Sequence, residues 1–485
     1  MLLNELFKGA PAIEINQLSC DSRMPMKDAV FFCVKGVRDD GHQFVKDAII
    51  NGAKVIVYED DIDTSLNAVF IRVNNVMDTL TRVAGKFYDY PGRDLETFVV
   101  LGCYGRSSIA SYIRQLITPY KKCGSIGIMG VEYGTRTLMS SYPTLPLLSN
   151  CSYMAQMRRD GVEACVFESS PLNLSLKKLA CIDANVFVYS NTSKLAADYR
   201  EVGSDYYNLL RKYFYTLEED AVVILNRDDD SYPELYDSVG TCVSYGYDEH
   251  SDFLIYDVSC RTTGTSFGLR YKGKNVIISC PLLGKTNVYN LTAAIAAFTV
   301  RGYDLTHLAV LANTLKNVEG VYDSLKNDRF HIVVDNAFTL DCIENIFKYA
   351  RNVTSRRKKI VAIIGISYTD DSKRIESLLK LAERNIDFLI VTEDDSYEHE
   401  PFTILEKIND YPLSIRRLII EERKTAIEEG IELLNEGDTL LILGKGNEVS
   451  LYKGLGKEYY EGDRNVASSY LKKREEEEHE AFEVY

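Results

Sequence analysis

The sequence predicts an α/β fold in three successive domains, and three observations lead there. Short apolar runs recur along the chain with helix-spaced stretches between them, as in a largely parallel sheet. A glycine-bounded turn follows one of those runs and leads into an apolar-periodic helix. The length, 485 residues, suits about three domains that each bury a core.

Residues 1–93 read as a small α/β unit. Residues 30–34 and 54–57 are strand-like, and residues 43–51 between them have helical spacing. Pro91-Gly92 is the expected boundary. The central unit, residues 94–325, opens on the most informative segment, Val99-Val100-Leu101-Gly102-Cys103-Tyr104-Gly105-Arg106-Ser107-Ser108. A buried strand, a turn and a helix through Ile109, Ile113 and Ile117 form the layout of a phosphate-binding loop. There, backbone N–H groups and the helix N-terminus face the phosphates. Such a P-loop normally has Lys before Ser or Thr; Arg106 stands in its place. Further strands are expected at 164–167, 186–189 and 221–225. In the last unit, residues 326–485, strands at 331–334, 360–364, 388–391 and 439–443 alternate with helical patterns, which predicts a Rossmann-like domain. The charged end, residues 472–478, reads as a solvated helix end or a frayed tail.

Composition narrows the function. A net charge of −15 without a basic stripe argues against a nucleic-acid partner. The 11 cysteines lack CxxC pairs, so reduced thiols in a cytoplasmic protein are expected rather than a disulfide framework or metal cluster. There is no 18-residue apolar run for a membrane span, and the N-terminus does not read as a signal peptide.

Motifs in order along nearly the whole chain resemble the Mur ligases, and among them the MurE type. Asp21-Ser22-Arg23, Phe31-Phe32, Gly36, Asp40-Gly41-His42-Gln43-Phe44 and Gly52-Ala53 are similar to the family's uridine-nucleotide-binding domain. Gly102 to Ser107 falls on the ATP loop, Glu168-Ser169-Ser170 on the acidic magnesium segment, and Ser190-Asn191 on a Thr-Asn step near the nucleotide. Leu283-Gly284-Lys285-Thr286-Asn287-Val288-Tyr289-Asn290 falls where an Asn contacts adenine. Val334-Asp335-Asn336-Ala337, Thr392-Glu393-Asp394-Asp395, Gly444-Lys445-Gly446-Asn447-Glu448 and Asp463-Arg464 match positions in the third domain.

The resemblance implies ATP and Mg²⁺ as cofactors and a UDP-linked muramoyl peptide, or a related UDP-sugar, as ligand. By the same resemblance, Gly102, Gly105, Arg106 and Ser107 would hold phosphates, and Ser107 and Glu168 a metal. Arg106 and Glu168 would be the catalytic pair, with Asn287 and Asn290 at adenine. Ser22, Arg23 and His42 would contact the uridine diphosphate, Ser170 and Lys178 the sugar–peptide, and Lys445 and Glu448 the substrate. Each has a structural alternative. Glu168, Asn287 and Asn290 could cap helices, and Lys178 could be a solvated helix charge. Lys445 and Glu448 could be a surface pair at a glycine turn.

The departures from the family are selective. The loop lysine is Arg106; the Asp-His pair beyond the Thr-Asn step is absent from Lys194-Leu195-Ala196-Ala197-Asp198. The carbamylated lysine falls on Leu210 and a histidine on Leu172. Asp-Asn-Pro-Arg reads Asp394-Asp395-Ser396-Tyr397, without the arginine that would grip a carboxylate. The expectation is a MurE-like homologue linked to peptidoglycan precursor synthesis, catalytically impaired, that binds a UDP-linked precursor or a cell-wall enzyme. The alternative is an active ATP-dependent ligase adding an amino acid to UDP-N-acetylmuramoyl-dipeptide.

Overall fold

The computed structural model describes residues 1–483, apart from 37, 38, 129, 139–144, 171, 176, 180, 181, 193–205, 326, 369, 407, 409, 410, 413 and 455. In the N-terminal part, strands Gln17–Ser19, Ala29–Phe32, Ala53–Tyr58 and Val69–Arg72 pair in parallel in chain order. Ala29–Phe32 is buried at every position, as an inner parallel strand covered on both faces should be. The core beneath it takes in Leu147 and Cys151 from the central helix Leu147–Arg159, which docks this unit on the next.

The central sheet has a parallel heart. Its order is Cys242–Gly246, Val222–Asn226, Val186–Tyr189, Glu96–Leu101, Ala164–Glu168 and Cys123–Gly127. Both edges turn antiparallel. Gly130–Tyr133 and Arg136–Leu138 extend one edge, and Phe253–Arg261, Gly264–Tyr271 and Lys274–Cys280 extend the other. The second ribbon departs from the largely parallel expectation for a local reason. Lys272 and Gly273 both have positive φ, the geometry of a two-residue hairpin turn, so the chain folds straight back. Helix Arg106–Ile117 buries Ile109, Ile113 and Ile117 against the sheet and packs on Gly284–Thr299.

In the third domain, His331–Asp335, Thr439–Leu443, Ile360–Ile366, Phe388–Glu393 and Arg416–Ile419 run parallel, with Asp323–Leu325 antiparallel at one edge. Helix Asp463–Glu483 takes up the charged end of the chain. Its first residue anchors it. Asp463 accepts from Arg423 Nε and Nη2, both at 2.7 Å, and from Tyr460 Oη at 2.9 Å. Arg423 also donates to the Leu443 carbonyl at 2.9 Å, and neither charged side chain reaches solvent.

Removing one partner of a buried ion pair strands the other charge. Asp463→Ala should therefore cost about 3–5 kcal/mol in urea unfolding. The double variant Arg423→Met, Asp463→Leu should recover most of that loss.

Candidate functional site

The loop after strand Glu96–Leu101 is shaped by two glycines and one clamp. Gly102 has φ 144° and Gly105 φ 78°, conformations that side chains resist. Asn191 Oδ1 accepts from the N–H groups of Cys103 at 3.2 Å and Tyr104 at 3.0 Å, and Asn191 Nδ2 donates to the Tyr104 carbonyl at 2.8 Å. Ser190 Oγ donates to the same carbonyl at 3.0 Å. The Ser190-Asn191 step, placed by the parallel neighbour Val186–Tyr189, thus fixes the first half of the loop. The first turn of helix Arg106–Ile117 supplies the N–H groups that an anion would meet.

Arg106 folds back toward its own loop. Its Nη1 donates to the Gly102 carbonyl at 2.7 Å, and its Nε lies 3.9 Å from Glu168 Oε1. Ser107 Oγ donates to that same carboxylate oxygen at 2.7 Å. The Ser107 hydroxyl and Glu168 carboxylate are adjacent hard oxygens, a donor set that fits one Mg²⁺ completed by phosphate oxygens and water. Leu210, where the resemblance would put a carbamylated lysine, is fully buried among Tyr206, Phe214 and other core residues, and its own side chain offers no donor. Leu172 opens the short helix Leu172–Ser175, and Lys194 to Asp198 lie outside the described residues.

Asn287 and Asn290 lie on helix Gly284–Thr299, nearly inaccessible. Asn287 Oδ1 accepts from Tyr112 Oη at 2.9 Å and from Asn290 Nδ2 at 3.1 Å, and Asn287 Nδ2 donates to the Leu283 carbonyl at 2.9 Å. Asn290 Oδ1 faces the space above Gly105. The pair therefore joins this helix to the loop. An acidic run at the C-terminal end of Val222–Asn226 completes the surroundings and was not singled out from the sequence. Asp229 accepts from Ser231 and from the Thr192 N–H, and burial raises its carboxyl above the usual range. Asp228 accepts from Tyr289 Oη at 2.8 Å and the Tyr247 N–H at 2.6 Å. The signal was available, because ligands of parallel sheets gather at carboxyl ends of strands.

In the third domain, Lys445 sits almost buried between three carboxylates. Its Nζ lies 2.6 Å from Asp395 Oδ1, 3.0 Å from Asp394 Oδ1 and 3.1 Å from Glu448 Oε2. Burial works against its charge, but Asp394, Asp395 and Glu448 outweigh it and hold the ammonium above its ordinary range. Tyr397 stacks on Tyr452 at 5.4 Å beside this cage. On strand His331–Asp335, burial pushes the Asp335 carboxyl up to about 7, against the pull of the Tyr322 and Ala337 N–H groups. Burial also draws His331 down to about 4.

The remaining predicted residues divide by exposure. Ser22 is buried, and its carbonyl accepts from Asn51 Nδ2 at 2.7 Å. Arg23 is exposed and grips Asp21 through two contacts of 2.8 Å. His42 Nδ1 lies 2.6 Å from Asp40 Oδ1, while Nε2 accepts from the N–H groups of Glu59 and Asp60 at 3.1 and 3.2 Å. The ring therefore carries its proton on Nδ1 and ties the turn Gly41–Phe44 to the end of strand Ala53–Tyr58. Ser170 Oγ accepts from Asn173 at 3.0 Å, and burial lowers the half-buried Lys178 ammonium.

Three family models match the chain: the Mur ligase family, catalytic domain, over residues 14–88; the Mur ligase middle domain over 100–298; and the Mur ligase, glutamate ligase domain over 322–446. A UDP-N-acetylmuramoyl-L-alanyl-D-glutamate–2,6-diaminopimelate ligase of Halalkalibacterium halodurans is 30% identical over 468 residues, 95% of either chain. The Clostridioides difficile protein of that name is 27% identical over 474 residues, 96% of this chain and 97% of its own. A solved structure of a ligase with that name superposes at TM-score 0.72 and 21% identity, covering 98% of this chain and 99% of the other. The MurF ligase of Thermotoga maritima in complex with ADP gives 0.62 at 19% identity, over 88% and 93%. Both structural matches show a shared fold.

Asp335 and His331 make a pH prediction. Asp335 holds its proton longer folded than unfolded, so its contribution is full below about pH 4 and is lost as pH rises through about 7. His331 acts oppositely, contributing above about pH 6.5 and losing that as pH falls through about 4. Relative to the unsubstituted chain, Asp335→Asn should make urea stability rise more steeply with pH across this window. His331→Gln should tilt the same profile downward.

Proposed function

The chain belongs to the Mur ligase family, of the MurE type, and on that premise we propose that it binds a UDP-linked muramoyl peptide of peptidoglycan precursor synthesis while catalysing ligation weakly or not at all. Cytoplasmic binding of such a precursor, or of a cell-wall enzyme that uses it, is the role proposed. Ligation would pass the γ-phosphoryl group of ATP to a substrate carboxylate, giving an acyl phosphate and ADP. An amine would then displace phosphate and form the amide. The first step depends on positive charge around the phosphates.

The observation that carries this reading is Leu210, a buried aliphatic side chain where the family resemblance puts a carbamylated lysine. A leucine there cannot hold a metal, and it packs in one core cluster with Tyr206 and Phe214. Arg106 adds to the argument, since part of its guanidinium is spent on the Gly102 carbonyl. Lys445 is likewise engaged, by Asp394, Asp395 and Glu448. In this proposal the first-turn N–H groups and Arg106 bind nucleotide phosphates, Ser22, Arg23 and His42 belong to the uridine end, and Ser170 and Lys178 flank the sugar–peptide. In an active ligase, a magnesium ion at Ser107 and Glu168 would supply phosphate-charge neutralisation. That retained Ser107–Glu168 pair favours the second reading, an active ligase with a rebuilt site.

Purified chain tested with UDP-N-acetylmuramoyl-L-Ala-D-Glu, Mg-ATP and a panel of amino acids decides between the two. The expected result is saturable binding of the UDP-dipeptide with ADP release about 1,000-fold or more below a competent ligase, since each lost charge contact costs about 10²–10³. Amino-acid-dependent ADP release that Arg106→Ala abolishes would establish the active ligase instead.

A further inference from the structure

We infer that Arg106 is a built-in counter-ion for Glu168, so that the loop at residues 102–107 captures a nucleoside diphosphate with little help from a divalent cation. This rests on the reading that the loop still admits a nucleotide.

The geometry is compact. Two groups converge on Glu168 Oε1, the Ser107 hydroxyl at 2.7 Å and the Arg106 Nε at 3.9 Å, and the guanidinium is moored at its far side to the Gly102 carbonyl at 2.7 Å. Both charged side chains are mostly out of solvent, at 21% and 10% exposure, so the pair is only weakly screened by salt. A lysine in this place would be a compact charge on a flexible stem, free to leave the carboxylate and follow a phosphate. The guanidinium is a planar fork, always charged, and its hydrogen bond to the Gly102 carbonyl keeps it beside the Glu168 carboxylate.

The consequence concerns charge. Glu168 supplies a single negative charge, which Arg106 already offsets. A dication on the same oxygen would stand close to that fixed cation, and the repulsion reduces what the metal gains. Asp229, a second carboxylate near the loop, is engaged by Ser231 and by the Thr192 N–H. Gly127 brings backbone against the far side of Glu168, where an added side-chain carbon would lie 2.9 Å from Oε2, so the carboxylate has little room to swing away. The positive end of helix Arg106–Ile117 and the guanidinium together then serve as the phosphate site.

ADP is the probe, titrated calorimetrically against the full chain in EDTA and again in excess MgCl₂. The two dissociation constants should agree within about threefold, because Arg106 supplies the charge in both cases. Tightening by Mg²⁺ of about tenfold or more would overturn the inference. Arg106→Lys frees Glu168, so Mg²⁺ should tighten ADP binding about tenfold in that variant; the same metal-independence as the parent would also overturn it. Absence of ADP binding in both buffers overturns the inference too. The precursor-binding proposal would still stand, because the UDP-dipeptide titration tests it separately.

Discussion

There is no space for a side chain above the turn that joins strand Glu96–Leu101 to helix Arg106–Ile117. A carbon added at Gly102 would collide with Ser190 Oγ, and one added at Gly105 would collide with Asn290 Oδ1. Both glycines also hold positive φ. The neighbouring strand and helix Gly284–Thr299 are therefore set by how closely they approach this backbone. Asn191 and Ser190 tie down one half of the turn, and Asn287, Asn290 and Tyr112 brace the helix that covers the other. A loop held by these neutral contacts keeps its shape whether or not it performs chemistry, which separates the scaffold from the reaction.

The charges around that scaffold are mostly committed to one another. Arg106 lies against Glu168 and the Gly102 carbonyl, Lys445 among three carboxylates, and Arg423 with Asp463 in a fully buried pair. Phosphoryl transfer needs cations aimed at a ligand and a pair of metals whose ligands converge on it. On the proposed reading, one metal position keeps its hard oxygens, Ser107 and Glu168, and the other would fall at the buried Leu210. Binding needs less than catalysis does, so a site with this charge arrangement can retain affinity after losing rate.

Much of this was legible in the chain. Strands Val186–Tyr189 and Thr439–Leu443 fall where their apolar runs predict, because an inner parallel strand must be apolar on both faces. The turn at Gly102 and Gly105 was visible because only glycine suits that backbone. The antiparallel ribbon from Phe253 to Cys280 was less legible, since its exposed half mixes polar and apolar residues. His42 shows what sequence leaves out: its partners Glu59 and Asp60 sit on the next strand's end and contribute only backbone N–H groups, which have no residue signature. The Lys445 cage was half visible, as Lys445 and Glu448 are neighbours in sequence, whereas Asp394 and Asp395 arrive from the end of strand Phe388–Glu393, two strands away in the sheet.

The central claim is that this fold has kept its phosphate loop and lost one of the metal positions that ligation requires. Anomalous diffraction from crystals grown with Mn²⁺ and a non-hydrolysable ATP analogue tests it most directly. The account predicts no manganese peak beside Leu210 and no more than one beside Glu168 and Ser107. Two peaks flanking the triphosphate, each with protein ligands, would contradict it.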